Sequence, residues 1–260
     1  MRKKLKRLIY KIDTILKTIF LSKKYKFNNK KVTYYFKRNK KSDVLIVVFS
    51  AFQSAKHPHY NYIQTLKKIN CNQLFILDNF SKSGLGSYYL GLNGNYFIPE
   101  LVEGLIIHLN KKYHFRYITL GGSSKGGSSA LLHGFSYKTI KVDSIIVGSP
   151  QFRLGTYLFD HGGRKKLLEI TGDDGESSKR NLDNYFEGVL KNTPQSLTVY
   201  LLDSSLEDEF HVFDCGELKK CFAKYDVKYV EFDAKYIGHK NITEPWRTYW
   251  IKTLRELYEI

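Results

Sequence analysis

Uninterrupted apolar runs alternate with amphipathic segments along most of the chain, a pattern typical of strands buried on both faces and of the helices that connect them. The runs that predict strands lie at residues 43–50, 73–78, 115–120, 143–148, 197–203 and 228–232. Helical spacing of apolar residues lies between or after them, at residues 62–69, 98–109, 216–225 and 246–258. A short strand at residues 31–36, between solvated turns, precedes them. The order predicts one α/β domain with a mostly parallel central sheet and helices on both faces.

The first 42 residues differ from the rest in charge. They hold 16 Lys or Arg and one acid, so +15 of the formal net charge of +17 lies there. From Leu5 to Phe20 apolar residues recur every three or four positions among basic ones, which predicts a basic amphipathic helix. Two interpretations stay open: residues 1–31 contact an anionic membrane, or the apolar stripe packs on the domain at residues 43–260. Nucleic-acid binding is not expected, because the arm lacks a recognition motif.

Composition narrows the class of protein. A hydrophobic fraction of 42% with 15% aromatic residues is ample for a buried core. The three cysteines form no Cys-x-x-Cys pair, so neither a disulfide framework nor a zinc site is expected, and a reduced cytoplasmic compartment fits. The pair His57 and His59 is interpreted as part of a loop, and no metal is expected. No apolar run reaches the ~18 residues that a membrane-spanning helix needs. If the chain contacts a membrane, a peripheral position on the inner membrane is therefore expected.

A glycine-rich turn follows the predicted strand that ends at Leu120. Gly122-x-Ser124-x-Gly126 lies there, and small residues after it open an apolar helical stretch. A nucleophile elbow requires this strand-turn-helix context, because its serine occupies a strained turn between closely packed elements. Ser124 is therefore the candidate nucleophile. Ser123 fits the motif less well, and a glycine-rich turn without chemistry is the alternative.

A serine hydroxyl needs an imidazole to remove its proton and an acid to orient that imidazole. On this topology the three residues follow in the order serine, acid, histidine, and Ser124, Asp208 and His239 do so. Asp203 is the rival acid because it ends the predicted strand itself. Two weaker rivals, expected to be solvated, are Glu207 and Glu209. The histidines for which no role is predicted are His108, His114, His133, His161 and His211.

The turns beside the elbow supply the remaining parts of a site. The backbone N–H groups of Lys125 and Phe52 are the predicted oxyanion donors, one after the nucleophile and one after the strand at residues 43–50. The loop at residues 79–95 combines glycine with tyrosine, which suits a sugar ring; a loop whose aromatic side chains only pack internally is equally compatible. A more polar stretch at about residues 151–193 separates two core strands and is predicted to be a lid insertion.

Over residues 43–260 the sequence resembles the α/β-hydrolase superfamily, and within it the capsular-polysaccharide O-acetyltransferases, with a more distant similarity to glycan O-acetyltransferases of accessory secretion systems. The resemblance lies in the Gly-x-Ser-Lys-Gly-Gly elbow, the Asp-Asn-Phe and Tyr-Tyr-Leu-Gly-x-Asn-Gly segments of the loop at residues 78–94, and the spacing of acid and histidine. One departure is that Ser50-Ala51 stand where the family has His-Gly, which leaves the second oxyanion donor open.

The resemblance implies acetyl transfer from acetyl-CoA, as co-substrate rather than bound cofactor, to a hydroxyl of a polysaccharide acceptor. Ser124 would attack the thioester with His239 as base. Two alternatives share every feature so far: an esterase or deacetylase with the same triad, and an inactive hydrolase-fold scaffold in a membrane-associated assembly. Basic residues that could meet donor or polymer phosphates, or simply be solvated, are Lys125, Arg153, Arg164, Lys165 and Lys166.

Overall fold

The computed structural model describes residues 14–52, 58–81, 83–84, 86–191 and 196–260, and within them one eight-stranded sheet forms the centre of the molecule. The strands are β1 Lys23–Phe27, β2 Lys30–Lys37, β3 Val44–Phe49, β4 Asn72–Leu77, β5 Tyr117–Ser123, β6 Ser144–Gly148, β7 Thr198–Asp203 and β8 Lys228–Asp233. Their order is β1-β2-β4-β3-β5-β6-β7-β8, with every neighbouring pair from β4 to β8 parallel. The predicted mostly parallel sheet is confirmed.

Helices cover both faces of this sheet. They are α1 at residues 14–20, α2 Ile98–Tyr113, α3 Lys125–Ser136, α4 Leu154–Asp160, α5 Arg164–Thr171, α6 Glu176–Leu190, α7 Glu209–Lys224 and α8 Thr243–Tyr258. Apolar residues of α2 to α7 share one core with one face of the sheet. The opposite face packs on α8, including the fully buried Trp246 and Trp250. Every residue of β3 and β4 is buried, as their uninterrupted apolar runs predict.

The edge of the sheet before β4 differs from the prediction. Residues 23–30 were expected to be solvated turns, but β1 pairs antiparallel with β2 as a hairpin. Asn28 and Asn29 connect the strands at φ 45° and 60°, in the left-handed region that asparagine tolerates and that a tight hairpin turn requires. The lysine-rich sequence of β1 gives no strand signal, because an exposed edge strand does not need alternating apolar residues.

The helix predicted at residues 62–69 is reduced to a 3₁₀ turn, Thr65–Lys68. Tyr62 has φ 66°, outside the helical region, so the segment cannot begin as an α-helix there. At the other end the Gln73 amide donates to the carbonyls of Leu66 and Ile69, at 2.8 and 3.0 Å, and replaces the hydrogen bonds of a further turn.

The predicted insertion lies between β6 and β7 and contains α4, α5 and α6; residues 192–195 lie outside the described residues. Its apolar side chains, such as Phe152 and Phe186, belong to the core of the main sheet. One buried side chain fixes its start: Asp214 of α7 accepts hydrogen bonds from the backbone N–H groups of Phe152 and Arg153, both at 2.7 Å. The insertion is thus a packed layer beside the carboxyl ends of the strands.

The predicted amphipathic helix lies partly outside the described residues, since only positions 14–20 are described as helical. A search of the helices in the described part of the chain finds none with the length and apolar character needed to cross a membrane.

Candidate active site

Ser124 stands at the corner between β5 and α3. Its φ of 51° and ψ of −126° place it in a region that residues with a Cβ rarely adopt. The turn is held because the Ser124 N–H donates to the Gly148 carbonyl of β6 at 2.8 Å. This is the strained strand-to-helix turn expected of a nucleophile elbow.

The two glycines of the motif permit the close approach of strand and helix. A Cβ on Gly122 would lie 2.6 Å from backbone atoms of Gly126, and a Cβ on Gly126 would lie 2.3 Å from the carbonyl oxygen of Phe49. Neither contact can relax without moving backbone. The sequence requirement at these positions is therefore steric.

The structure brings Ser124 and His239 together across 115 residues of sequence. His239 begins the 3₁₀ turn His239–Asn241 after β8, and its Nε2 lies 2.8 Å from Ser124 Oγ. Its Nδ1 lies 2.5 Å from Oε1 of Glu207. Because an ionised carboxylate only accepts, the proton of His239 lies on Nδ1 and Nε2 is free to accept the serine proton.

The acid beside His239 is Glu207, so the prediction of Asp208 is wrong. The Glu207 side chain is 2% exposed, contrary to the expectation that it is solvated. Its Oε2 accepts from Ser149 Oγ at 2.8 Å and from the Tyr236 hydroxyl at 2.9 Å. These bonds satisfy the second carboxylate oxygen and hold Oε1 on the imidazole.

Asp208 is the N-cap of α7. Its Oδ1 accepts from the backbone N–H of His211 at 3.1 Å and from His211 Nδ1 at 2.7 Å. Partial burial by itself would raise the pKa of Asp208. The hydrogen bonds to His211 outweigh that effect and hold the pKa below its usual value. Of the other rivals, Asp203 pairs with Lys219 at 2.7 Å and Glu209 is exposed in the first turn of α7.

A second histidine, to which the sequence assigned no role, lies against the first. His211 stacks on His239 with ring centroids 3.9 Å apart and an interplanar angle of 15°. Burial, and then the adjacent His239, lower the pKa of His211. Gln151, also missed, donates from Nε2 to Ser124 Oγ at 3.1 Å and lies 3.4 Å from His211 Nε2. No local sequence pattern marks either residue, because topology alone brings them to the elbow.

Among the described residues, His211, His239 and Glu207 form the one group of three or more potential metal ligands whose ligand atoms all lie within 4.8 Å of one another. The ring planes are nearly parallel, and the ring nitrogens already have hydrogen-bond partners: Glu207 and Ser124 for His239, and Asp208 for His211. A metal ion needs lone pairs that converge on one point. The arrangement therefore suits hydrogen bonding better than metal binding.

The lysines nearest the elbow have internal partners. Lys125 Nζ donates to Asp78 Oδ2 at 2.9 Å, with side chains 4% and 2% exposed. Lys166 of α5 donates to the Gly86 carbonyl at 2.7 Å, and burial, reinforced by the Lys125 cation, lowers the pKa of Lys166 to about 8. The Lys125 side chain is thus committed to Asp78, while its backbone N–H at the start of α3 stays the predicted oxyanion donor.

The other predicted positions are less enclosed. Phe52, the second predicted oxyanion donor, is 49% exposed and is followed by residues 53–57, which lie outside the described part. Its role stays a prediction. Arg153 pairs with Glu217 at 3.2 Å, whereas Arg164 and Lys165 are exposed.

No family model matches the chain, and no curated protein matches its sequence. Solved structures do. The capsule O-acetyltransferase of Neisseria meningitidis serogroup A, in complex with CoA, superposes with a TM-score of 0.70 at 21% identity, over 90% of this chain and 94% of that one. The glycosylation-associated Gap123 complex of Streptococcus agalactiae gives 0.76 at 20% identity, over 91% of this chain and 46% of that one.

A truncated carbohydrate esterase from gut microbiota gives a TM-score of 0.59 at 10% identity, over 89% of this chain and 92% of that one. Acylaminoacyl peptidase from Pyrococcus horikoshii gives 0.65 at 12% identity, over 90% of this chain and 41% of that one. These likenesses show that the chain has the α/β-hydrolase fold.

Proposed function

We propose that this chain is a serine-dependent O-acetyltransferase that moves acetyl from acetyl-CoA to a hydroxyl of a polysaccharide. The observation that carries the proposal is the hydrogen-bonded series from Ser124 Oγ through His239 to the buried Glu207. An intact series of this kind supports acyl transfer over an inactive scaffold. The likeness to a capsule O-acetyltransferase solved with CoA supports the donor and the acceptor class.

In the first half-reaction His239 Nε2 takes the proton of Ser124 as Oγ attacks the carbonyl carbon of the thioester. The tetrahedral intermediate collapses, the carbon–sulfur bond breaks, and the thiolate takes the proton from His239. The products are CoA and acetyl-Ser124. Glu207 stabilises the imidazolium that exists between the two proton transfers.

In the second half-reaction a sugar hydroxyl gives its proton to His239 and its oxygen attacks the acetyl carbon. The bond from that carbon to Ser124 Oγ breaks, and Oγ recovers the proton from His239. Gln151 donates to Oγ at 3.1 Å in the resting enzyme, and the same bond would stabilise Oγ as the leaving group. We assign the oxyanion to the N–H groups of Lys125 and Phe52, and the positive end of α3 favours the first.

Hydrolysis by the same residues is the second candidate, supported by the likeness to a carbohydrate esterase. Water would then replace the sugar hydroxyl. The test is CoA release from acetyl-CoA with and without an acidic capsule-type glycan, with acetyl quantified on the glycan. We expect slow release alone, much faster release with glycan, and an acetyl group trapped on the Ser124 peptide when glycan is absent.

Equal CoA release with and without glycan would indicate a thioesterase. Loss of acetyl from a pre-acetylated glycan, with acetyl-CoA inert, would indicate a deacetylase. Ser124→Ala is the matched control, and its rate should fall by about 10³-fold or more in every productive assay.

A further inference from the structure

We propose that α1 and the start of β1 form a surface that binds an anionic lipid bilayer. This arm surface consists of the apolar residues Leu16, Ile19, Phe20 and Leu21 and of the lysines Lys23, Lys24 and Lys26. The proposal is independent of the acetyltransferase assignment, because the arm surface contains none of the residues of the candidate active site.

The apolar side chains of the arm surface face solvent. The exposed fractions are 47% for Leu16, 64% for Ile19, 74% for Phe20 and 44% for Leu21. Positions 16, 19 and 20 lie on one side of a helix, so the exposed side is the apolar stripe that the sequence continues back to Leu5. Several large apolar side chains exposed next to one another are typical of an interaction surface.

The opposite side of α1 contacts the domain through polar groups. Ser22 Oγ lies 2.7 Å from the Tyr60 hydroxyl, and the Tyr60 backbone N–H donates to Thr18 Oγ1 at 3.5 Å. Tyr60 itself is 1% exposed and belongs to the core that packs on α8, so these contacts attach α1 to a buried part of the fold. If α1 packed its apolar stripe on the domain, the apolar residues would be buried and the polar residues would face solvent. The geometry therefore favours the membrane interpretation of the arm over the packed one.

Charge complementarity selects an anionic bilayer as the occupant. Residues 14–42 carry ten Lys or Arg and no acid. Lys23, Lys24 and Lys26 are exposed beside the apolar residues. Lysines flanking an exposed apolar face match the negative surface of a bilayer rich in anionic lipid. A second copy of the chain fits poorly, because two arms of the same strong positive charge would repel each other.

The experiment is co-sedimentation of the full chain with vesicles of phosphatidylcholine alone or mixed with phosphatidylglycerol. We expect binding only to the mixed vesicles, weakening as salt is raised. The double variant Ile19→Ser, Phe20→Ser should bind at least about tenfold more weakly. Lys23→Gln and Lys24→Gln should each reduce binding roughly fivefold at low salt.

Val230→Ser with Phe232→Ser is the matched control, since these edge-strand residues are 50% and 48% exposed and lie outside the arm surface. It should bind vesicles like the wild type. Circular dichroism and turnover of a soluble substrate should be unchanged in the arm variants, which separates loss of binding from loss of folding. Failure of the full chain to bind mixed vesicles, or equal loss in the control, overturns the proposal. So does a change from oligomer to monomer in the double variant, which would make a second copy the occupant.

Discussion

The imidazole of His211 lies flat against the imidazole of His239, with ring centroids 3.9 Å apart. Each ring is held by its own acid, because His211 Nδ1 lies 2.7 Å from Asp208 and His239 Nδ1 lies 2.5 Å from Glu207. Consecutive acids of one loop therefore orient two stacked rings. This fixes His239 in position from its face as well as from its edge.

The Nε2 atoms of both rings lie near Ser124. His239 reaches Ser124 Oγ directly at 2.8 Å, and Gln151 lies between His211 and the same oxygen, at 3.4 and 3.1 Å. With Nδ1–H donated to Asp208, His211 Nε2 accepts from the Gln151 amide. That arrangement requires His211 to be neutral, in agreement with its lowered pKa.

A neutral His211 leads to a prediction about how kcat/KM falls at acid pH. The titratable groups that face His211 are His239, Glu207, Asp208 and Tyr157. Burial, and then the adjacent His239, lower the pKa of His211, so its neutral form persists further into acid than that of an ordinary histidine. A charged His211 would oppose the His239 imidazolium that the proposed reaction requires. We expect log kcat/KM to fall with a slope above one in acid, and His211→Gln to restore a slope of one.

His211→Gln should also reduce kcat/KM by between about tenfold and about 100-fold at neutral pH, because the support of the His239 ring is lost. His108→Gln, on α2, is the control. It should change neither the acid slope of log kcat/KM nor the value of kcat/KM at neutral pH. A slope of one in the wild type would mean that His211 does not titrate in the range of activity.

The acid assignment gives a second prediction. Glu207→Gln should reduce kcat by roughly 10³- to 10⁴-fold, because it removes the charge that stabilises the His239 imidazolium and disturbs its tautomer. Asp208→Asn should cost far less, since it acts only through His211 and the start of α7. The measurement is kcat of both variants, with thermal unfolding to confirm that each is folded. A larger loss for Asp208→Asn would restore Asp208 as the triad acid.

Much of the fold follows from pattern. The buried runs at β3 to β7 need no partner information, because an apolar run too short for a helix and bounded by turn residues has few other solutions. The elbow can be predicted from sequence equally well. Its turn needs glycine at positions 122 and 126, because a Cβ there would collide with residues close in sequence or on the adjacent strand. Local chemistry therefore identified Ser124.

The acid that is bonded to His239 could not be predicted in the same way. Asp203, Glu207, Asp208 and Glu209 lie within seven residues, and which one meets His239 depends on where α7 begins. The helix was predicted from residue 216, whereas it begins at Glu209. Placing its start correctly would have made Asp208 the N-cap, a role that aspartate fills well, and left Glu207 free.

A third prediction tests the packing of the elbow. Gly126→Ala places a Cβ 2.3 Å from the Phe49 carbonyl oxygen and should destabilise the fold by several kcal/mol or prevent folding. Gly188→Ala in α6 is the matched control, because nothing lies within 4 Å of its Cβ. It should stabilise the protein by up to ~1 kcal/mol through helix propensity. Urea unfolding measures both, and a neutral Gly126→Ala would contradict the steric account.

The last prediction concerns stability in acid and follows from His133 on the elbow helix. The ring is fully buried, with Nε2 at 2.8 Å from the Tyr89 carbonyl and Nδ1 at 3.1 Å from the Tyr137 hydroxyl. Burial lowers its pKa from 6.5 to about 4. The unfolded chain therefore binds a proton between these values that the folded chain does not. The stability that His133 contributes is present above pH 6.5 and lost as the pH falls toward 4, amounting to roughly 3 kcal/mol. Urea unfolding at pH 7 and pH 4.5 should show a smaller loss in His133→Gln than in the wild type, and equal losses would mean that His133 is protonated in the folded state.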